Sequence, residues 1–143
     1  SAAARGSGAK QAARAQGRGI GGYTVGEVTC RETTRAAEDY YHHCLVDHAD
    51  WAAVDAILAK KGITRESHPA EFDAIRRDQA NGLGGLPIIG DPDHVAGQLA
   101  RLSEAGFDGI ALSFVHYLAE LPYFCAEVLP RLERLGVRAR PPG

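Results

Sequence analysis

The pattern of apolar and polar positions between residues 82 and 136 predicts a loop, a helix, a strand and a second helix. Asp91 is suited to cap the first helix, and Pro92 fits its first position, where a missing N–H costs nothing. The apolar residues that follow at helical spacing are Val95, Leu99 and Leu102. Gly106 then ends this helix, because glycine tolerates the positive φ that a helix terminus often requires.

The strand predicted in this segment is the short apolar run at residues 110–114, which follows a glycine and is typical of a buried strand. A helix, a strand and a helix joined by short connections are typical of a parallel α/β fold. We therefore predict that strands near 22–30 and 109–114 lie parallel, as neighbours or nearly so. The helices at 91–105 and 118–135 should pack on one side of them.

Upstream of this segment, the pattern predicts a strand at residues 20–30 and helical structure at 33–61 with a break or cap at 47–50. A further short helix is predicted within 64–81, beginning at Pro69. The glycine-rich stretch at 81–87 is predicted to be a loop, since glycine and proline are the strongest local signals for turns.

The N-terminal segment, residues 1–19, consists mainly of small and basic residues and is predicted to be flexible or partly helical. Residues 1–8 are expected to be disordered, whereas 9–16 are rich in helix-favouring residues. The chain is thus divided into this segment, one domain at 20–138 and a short tail at 139–143.

Composition narrows the class of protein. The chain has 143 residues and a formal net charge of −2, which suits one domain and gives no footprint for nucleic acid. No apolar run approaches the roughly 18 residues that predict a membrane span. The 3 cysteines are widely spaced, which indicates free thiols in a reducing cytoplasm. The sequence contains no methionine, so we expect the natural start to lie outside it.

Two motifs are considered and set aside. Residues 17–22 match G-x-G-x-x-G, but that pattern binds dinucleotides only where it follows a strand and opens a helix. Here it precedes the predicted strand, so a turn is the preferred interpretation. Cys44 and His48, beside His42 and His43, could share a metal from one helix face. At least one further ligand would be needed, and no metal site is predicted.

Glu27 is the unusual residue of the strand at 20–30. Side chains alternate between the two faces of a strand, which groups Glu27 with Tyr23, Val25 and Thr29. A carboxylate on either face of a buried strand needs a partner or an open mouth. Two interpretations therefore remain: Glu27 is solvated or salt-bridged, or it lines an active site.

Long phrases of the sequence resemble the luciferase-like flavin-dependent monooxygenases, the superfamily of bacterial luciferase and alkanesulfonate monooxygenase. The run IIGDPDHVAGQLARLSEAGFDGIALSF, followed by ELPYFCAEVLPRLERLGVR, resembles their C-terminal end, and YTVGEVTCRETTRAAEDYYHHCLVDHADW resembles an upstream part. The resemblance implies a (β/α)8 TIM barrel. Such a barrel typically needs about 250 residues, so we expect a helix-rich partial barrel formed by the C-terminal strand–helix units of a longer enzyme.

The resemblance also implies an activity. A reduced flavin and O2 would oxidise a small organic substrate, with reduced FMN as the expected cofactor and coenzyme F420 as the alternative. A flavin reductase is a candidate partner, the parent enzyme is expected to be a cytoplasmic homo-oligomer, and this chain alone is expected to be inactive. The alternative is a non-catalytic barrel remnant that acts as a binding or structural subunit.

Active sites of such barrels lie at the C-terminal ends of the strands. The resemblance therefore implies that Ser113 hydrogen-bonds a flavin or substrate oxygen and that Phe114 forms a wall of the flavin pocket. Substitution of either residue by alanine is expected to lower turnover with little effect on folding. Glu27 falls near the place of an active-site histidine in the alkanesulfonate relatives. Arg76 and Arg77 are either surface charges or residues that reach the flavin site, and catalytic residues are not assigned.

Overall fold

The structure, a computed structural model, describes residues 2–81 and 85–139. Its elements in chain order are α1 (Ala2–Ala15), β1 (Tyr23–Cys30), α2 (Thr34–His42), a π-helix (His43–Asp47), α3 (Trp51–Lys60), α4 (Phe72–Ala80), β2 (Leu86–Gly90), α5 (Pro92–Glu104), β3 (Gly109–Ser113), α6 (Tyr117–Glu127) and α7 (Leu129–Arg134). The fold is a helix-rich α/β fold, as the sequence predicts.

The strands of the described residues form one parallel sheet in the order β2-β1-β3. β1 therefore lies in the centre although it comes first along the chain, and β3 pairs directly with it. The prediction that these two strands are parallel neighbours is confirmed. β2 pairs with the second half of β1, from Gly26 to Cys30, whereas β3 pairs with the first half, from Tyr23 to Glu27.

Several helix ends lie where local sequence signals predict them. Thr33 caps α2 by accepting a hydrogen bond from the Ala36 N–H, and Asp50 caps α3 in the same way. Asp91 accepts from the N–H of His94 at the start of α5. Gly106 follows α5 with a φ of 93°, a value that side chains other than glycine rarely adopt.

β2 is a strand where the sequence predicts the loop 81–87 to extend as far as Pro87. Proline cannot donate a hydrogen bond, which makes it a loop signal in sequence, but it is tolerated on an edge strand. β2 is such an edge, with β1 as its neighbour. Pairing with β1 therefore overrides the local signal. Residues 82–84 of the predicted loop lie outside the described residues.

Three further boundaries differ from the prediction. The C-terminal helix is divided at Val128 into α6 and α7, because Pro130 cannot continue the hydrogen bonding of α6. α4 begins only at Phe72. α1 begins at Ala2 rather than near residue 9, since alanine favours helix along the whole segment. Residues 140–143 of the predicted tail lie outside the described residues.

The hydrophobic core fills the space between one face of the sheet and the helices α5, α6 and α7. Its buried members are Val28, Cys30, Ile88, Val95, Ala96, Leu99, Phe114, Phe124, Val128 and Leu132. β1 contributes Val28 and Cys30 to it, and β2 contributes Ile88. The prediction that the two C-terminal helical segments pack on one side of the strands is thus confirmed.

The opposite face of the sheet, named here the bare face, carries Tyr23, Val25, Glu27, Thr29, Pro87, Ile89, Ala111 and Ser113. Its N-terminal end is open to solvent, with Tyr23 and Val25 74% and 46% exposed, whereas Thr29 at its C-terminal end is buried. The outer edges of β2 and β3 have no neighbouring strand among the described residues. Exposed apolar faces and open edges promote association. We therefore predict that this chain on its own self-associates, and a monodisperse monomer in light scattering would contradict this.

Candidate functional site

The structure brings Glu27 and Ser113 together. Their Cα atoms are register partners on the adjacent parallel strands β1 and β3, so both side chains project from the bare face. Neighbouring strands lie about 4.8 Å apart, which puts the carboxylate and the hydroxyl within reach of one small ligand. Pro87 occupies the same row on the other side of Glu27. The bare face thus carries a polar pair in an otherwise largely apolar surface.

A hollow of about 210 Å³ lies beside Glu27 at the C-terminal end of β1. Four segments of the chain form it: β1, the π-helix, the end of α4 and the residues after β3. Its lining residues are Glu27, Val28, Thr29, Leu45, Ala80, Asn81, Phe114 and Val115. Because active sites of parallel α/β folds lie at this end of the strands, we call it the candidate site.

The Glu27 side chain lies directly against the backbone of Gly85 beside this hollow. A Cβ atom at Gly85 would lie 2.9 Å from Glu27 Cγ and 3.0 Å from its Oε1, so any side chain there would displace the carboxylate. The Gly85 carbonyl accepts a hydrogen bond from Asn81 Nδ2 at 3.3 Å. Asn81 Oδ1 is buried and has no hydrogen-bond partner among the described residues. Glu27 and Asn81 thus both line the hollow, and each lies close to Gly85.

Phe114 is placed mainly in the core. Its ring packs edge-on against Phe124 and Tyr117, with centroid distances of 5.5 Å in both cases, and the residue is 7% exposed. Phe114 also lines the hollow, and its role as a wall of a flavin pocket stays a prediction. The sequence led us to expect that Phe114→Ala has little effect on folding. We now expect it to destabilise the fold, because a buried aromatic ring in a core contributes strongly to stability.

A second polar cluster joins the end of β1 to the start of α6. Arg31 Nη2 lies 2.8 Å from Glu120 Oε1, and Glu120 Oε2 accepts a hydrogen bond from the His116 N–H at 2.6 Å. The Arg31 guanidinium also lies 3.8 Å from the centre of the Tyr40 ring. Glu120 is buried, so Arg31 supplies the charge that makes its burial tolerable.

This pair is not predicted from the sequence. Glu120 is an acidic residue within the predominantly apolar run of α6, and that position is the signal that could have pointed to a buried carboxylate. The pair positions the strand ends, and we place no reacting group in it.

The cysteines are free thiols. Cys30 at the end of β1 is buried, and its burial raises the pKa of the thiol to about 11. The neighbouring Arg31 opposes this shift without cancelling it. A thiolate is the reactive form of cysteine, so Cys30 is unreactive near neutral pH and serves as a core residue.

Arg76 and the histidines considered as metal ligands do not line the hollow beside Glu27. Arg76 forms an ion pair with Asp55 and lies over the Trp51 ring at 4.4 Å. His43 and His48 stack edge-on with ring centroids 4.2 Å apart. Over residues 2–81 and 85–139, no group of three or more His, Cys, Asp or Glu side chains is arranged to hold a metal ion. Within the same residues, no helix has the length and apolar character of a membrane span.

No protein-family model matches the chain, and no curated protein matches it. A solved structure does: the crystal structure of DmoA from Hyphomicrobium sulfonivorans, with a TM-score of 0.73 and 22% sequence identity. The chain shares its fold with part of DmoA. The similarity covers 99% of this chain and 37% of the DmoA chain.

Proposed function

We propose that this chain is part of a luciferase-like flavin-dependent monooxygenase, an oxidoreductase that oxidises a small organic substrate with a reduced flavin and dioxygen. The single observation that carries the proposal is the likeness to DmoA, a dimethylsulfone monooxygenase of that superfamily, over 99% of this chain. The chain spans only 37% of DmoA. The activity therefore belongs to a longer protein, and the chain alone is inactive.

The bare face supports a partial (β/α)8 barrel. In such a barrel one strand face meets the helix layer and the other faces the interior. One face of β1 and β3 packs on α5, α6 and α7, as a barrel strand packs on the helix layer. Glu27 and Ser113 project from the opposite face, which would face the barrel interior. As direct neighbours they can represent successive strands of a barrel only if β2, which lies between them in the chain, is not itself a barrel strand. β2 extends the sheet on the other edge of β1.

The residues of the bare face fit the ring system of a flavin. Val25, Ile89 and Ala111 offer apolar contacts that exclude water, and the Ser113 hydroxyl can donate a hydrogen bond to a ring oxygen or nitrogen. No Lys or Arg lies on this face among the described residues, so the phosphate would be held by other parts of the protein. A bound reduced flavin supplies the electrons that activate dioxygen. The ring contacts of this face suit both FMN and F420, but only FMN activates dioxygen in this way, because the deazaflavin F420 transfers hydride.

We propose the same partners and location that the sequence resemblance implies. The protein takes up O2 and a small organic substrate, a flavin reductase supplies the reduced cofactor, and the complete enzyme is a cytoplasmic homo-oligomer. The second candidate function is a non-catalytic barrel remnant that acts as a binding or structural subunit. The exposed bare face and its open strand edges favour it, because they offer a surface for another chain.

A flavin titration separates the two candidate functions. The complete gene product that contains this chain is titrated anaerobically with reduced FMN and, separately, with reduced F420, and its oxygen consumption is then measured. The monooxygenase proposal predicts saturable binding of one of the two cofactors and cofactor-dependent oxygen uptake. Absence of binding by both cofactors would contradict it and favour the non-catalytic subunit.

Ser113→Ala is expected to weaken flavin binding by roughly 2- to 12-fold, the equivalent of one hydrogen bond of about 0.5–1.5 kcal/mol. The thermal midpoint should stay within a few degrees of the wild type, since Ser113 is half-buried on the bare face. Ser103→Ala, on the exposed side of α5, is the matched control. Unchanged flavin affinity in Ser113→Ala would remove this hydroxyl from the cofactor site.

A further inference from the structure

The candidate site presents hydrogen-bond acceptors that lack donors. In the part of the chain that the structure describes, the Glu27 carboxylate forms no ion pair and accepts no hydrogen bond. It nevertheless occupies the central strand of the sheet and is half-buried. A carboxylate placed in this way is stabilised by a donor or a positive charge that approaches it.

Asn81 supplies the second acceptor. It is 3% exposed, and its Oδ1 has no hydrogen-bond partner among residues 2–81 and 85–139. The amide orientation is fixed, because Nδ2 points to the carbonyl of Gly85, which can only accept. A buried carbonyl oxygen without a donor costs free energy. It therefore marks a place where a ligand with an N–H group would be bound favourably.

The two acceptors meet at Gly85. Its carbonyl holds Asn81, and its Cα side contacts the Glu27 side chain so closely that a Cβ would collide with it. The absence of a side chain at Gly85 thus creates the space that the carboxylate occupies. This contact shows that the position of Glu27 beside the hollow is determined by the fold.

The rest of the hollow determines the size and charge of its ligand. Leu45, Ala80 and Val115 are apolar, and none of the lining residues is Lys, Arg or His. The volume of about 210 Å³ suits a group of a few carbon atoms. Among these lining residues an anion would find no cation to offset the Glu27 carboxylate, and like charges at close range repel.

We infer that the site binds a substrate with a protonated amine on a short alkyl chain, and that Glu27 selects it against anionic substrates such as sulfonates. The ammonium donates to Glu27 and to Asn81 Oδ1, and the alkyl chain contacts the apolar lining. This inference rests on the proposed function for the reaction itself, but the binding preference is a property of Glu27 and Asn81 and can be measured without flavin.

The test is a calorimetric titration of the complete gene product with n-butylammonium chloride and with sodium butanesulfonate at equal ionic strength, both without flavin. We expect saturable binding of butylammonium and none of butanesulfonate. Glu27→Gln should weaken butylammonium binding about tenfold or more, the size of a lost charge-assisted hydrogen bond. Glu27→Asp should retain part of the preference. Glu38→Gln, an exposed carboxylate on α2, should bind as the wild type does.

Equal binding of the two probes, no binding of butylammonium, or full affinity in Glu27→Gln would each overturn the inference. If Glu27→Gln is poorly folded, Asn81→Leu provides the second variant, since it removes the acceptor and should also weaken butylammonium binding. Failure of the proposed function appears separately, as absence of flavin binding in a protein that still prefers butylammonium.

Discussion

Phe114→Ala is expected to lower the free energy of unfolding by about 3–5 kcal/mol, the usual cost of removing a buried aromatic ring from a core. The ring is 7% exposed and packs against Phe124 and Tyr117. Removing it would leave a cavity between the end of β3 and α6, and the hollow beside Glu27 would open into that cavity. Chemical denaturation monitored by circular dichroism measures the change.

Val115→Ala is the control for this prediction, because Val115 is the next residue along the chain and is 53% exposed. Its substitution should change stability by no more than about 0.5 kcal/mol. A Phe114→Ala variant as stable as the Val115→Ala variant would show that Phe114 does not pack in the core. The assignment of the core face of the sheet would then be wrong at this strand end.

Arg31→Ala is expected to cost about 3 kcal/mol of stability, the lower part of the range for removing one partner of a buried ion pair. Glu120 has a side-chain exposure of only 5%, whereas Arg31 retains 26%. Without Arg31, the carboxylate remains buried beside the His116 N–H with no positive charge opposite it. The free energy of unfolding is again obtained by chemical denaturation.

Two further variants make this second prediction specific. The double substitution Arg31→Ala and Glu120→Ala should recover part of the loss, since it removes the unpaired charge. Arg35→Ala, in an exposed pair with Asp39 at 3.7 Å, should change stability by about 0.5 kcal/mol or less. Equal effects of Arg31→Ala and Arg35→Ala would show that the Arg31–Glu120 pair has no special role.

Local chemistry made part of the fold predictable. Asp91 and Pro92 start α5 and Gly106 ends it, because each acts through its own backbone or its nearest neighbours. β2 was not predictable in this way. Leu86–Gly90 contains a proline and a glycine, and it becomes a strand only by pairing with β1, which lies far away in the sequence.

The sequence likewise predicts only part of the candidate site. Strand alternation groups the residues of β1 by face, but only the register with β3 reveals that Ser113 is the partner of Glu27. Asn81 carried no signal, since its unpaired oxygen results from burial at the end of α4. Glu120 required the position of Arg31 in space. Long-range pairings therefore account for what the sequence left open.

The central claim is that the bare face lines a flavin site, and labelling of a cysteine placed on it tests this most directly. Ser113→Cys is introduced into the complete gene product together with Cys125→Ser, because Cys125 is exposed in the wild type. The labelling rate with a maleimide is measured with and without FMN or F420, and Ser103→Cys on α5 serves as the control. We predict that one of the two cofactors slows labelling at position 113 and leaves position 103 unchanged. Equal labelling rates at position 113 with and without either cofactor would contradict the claim.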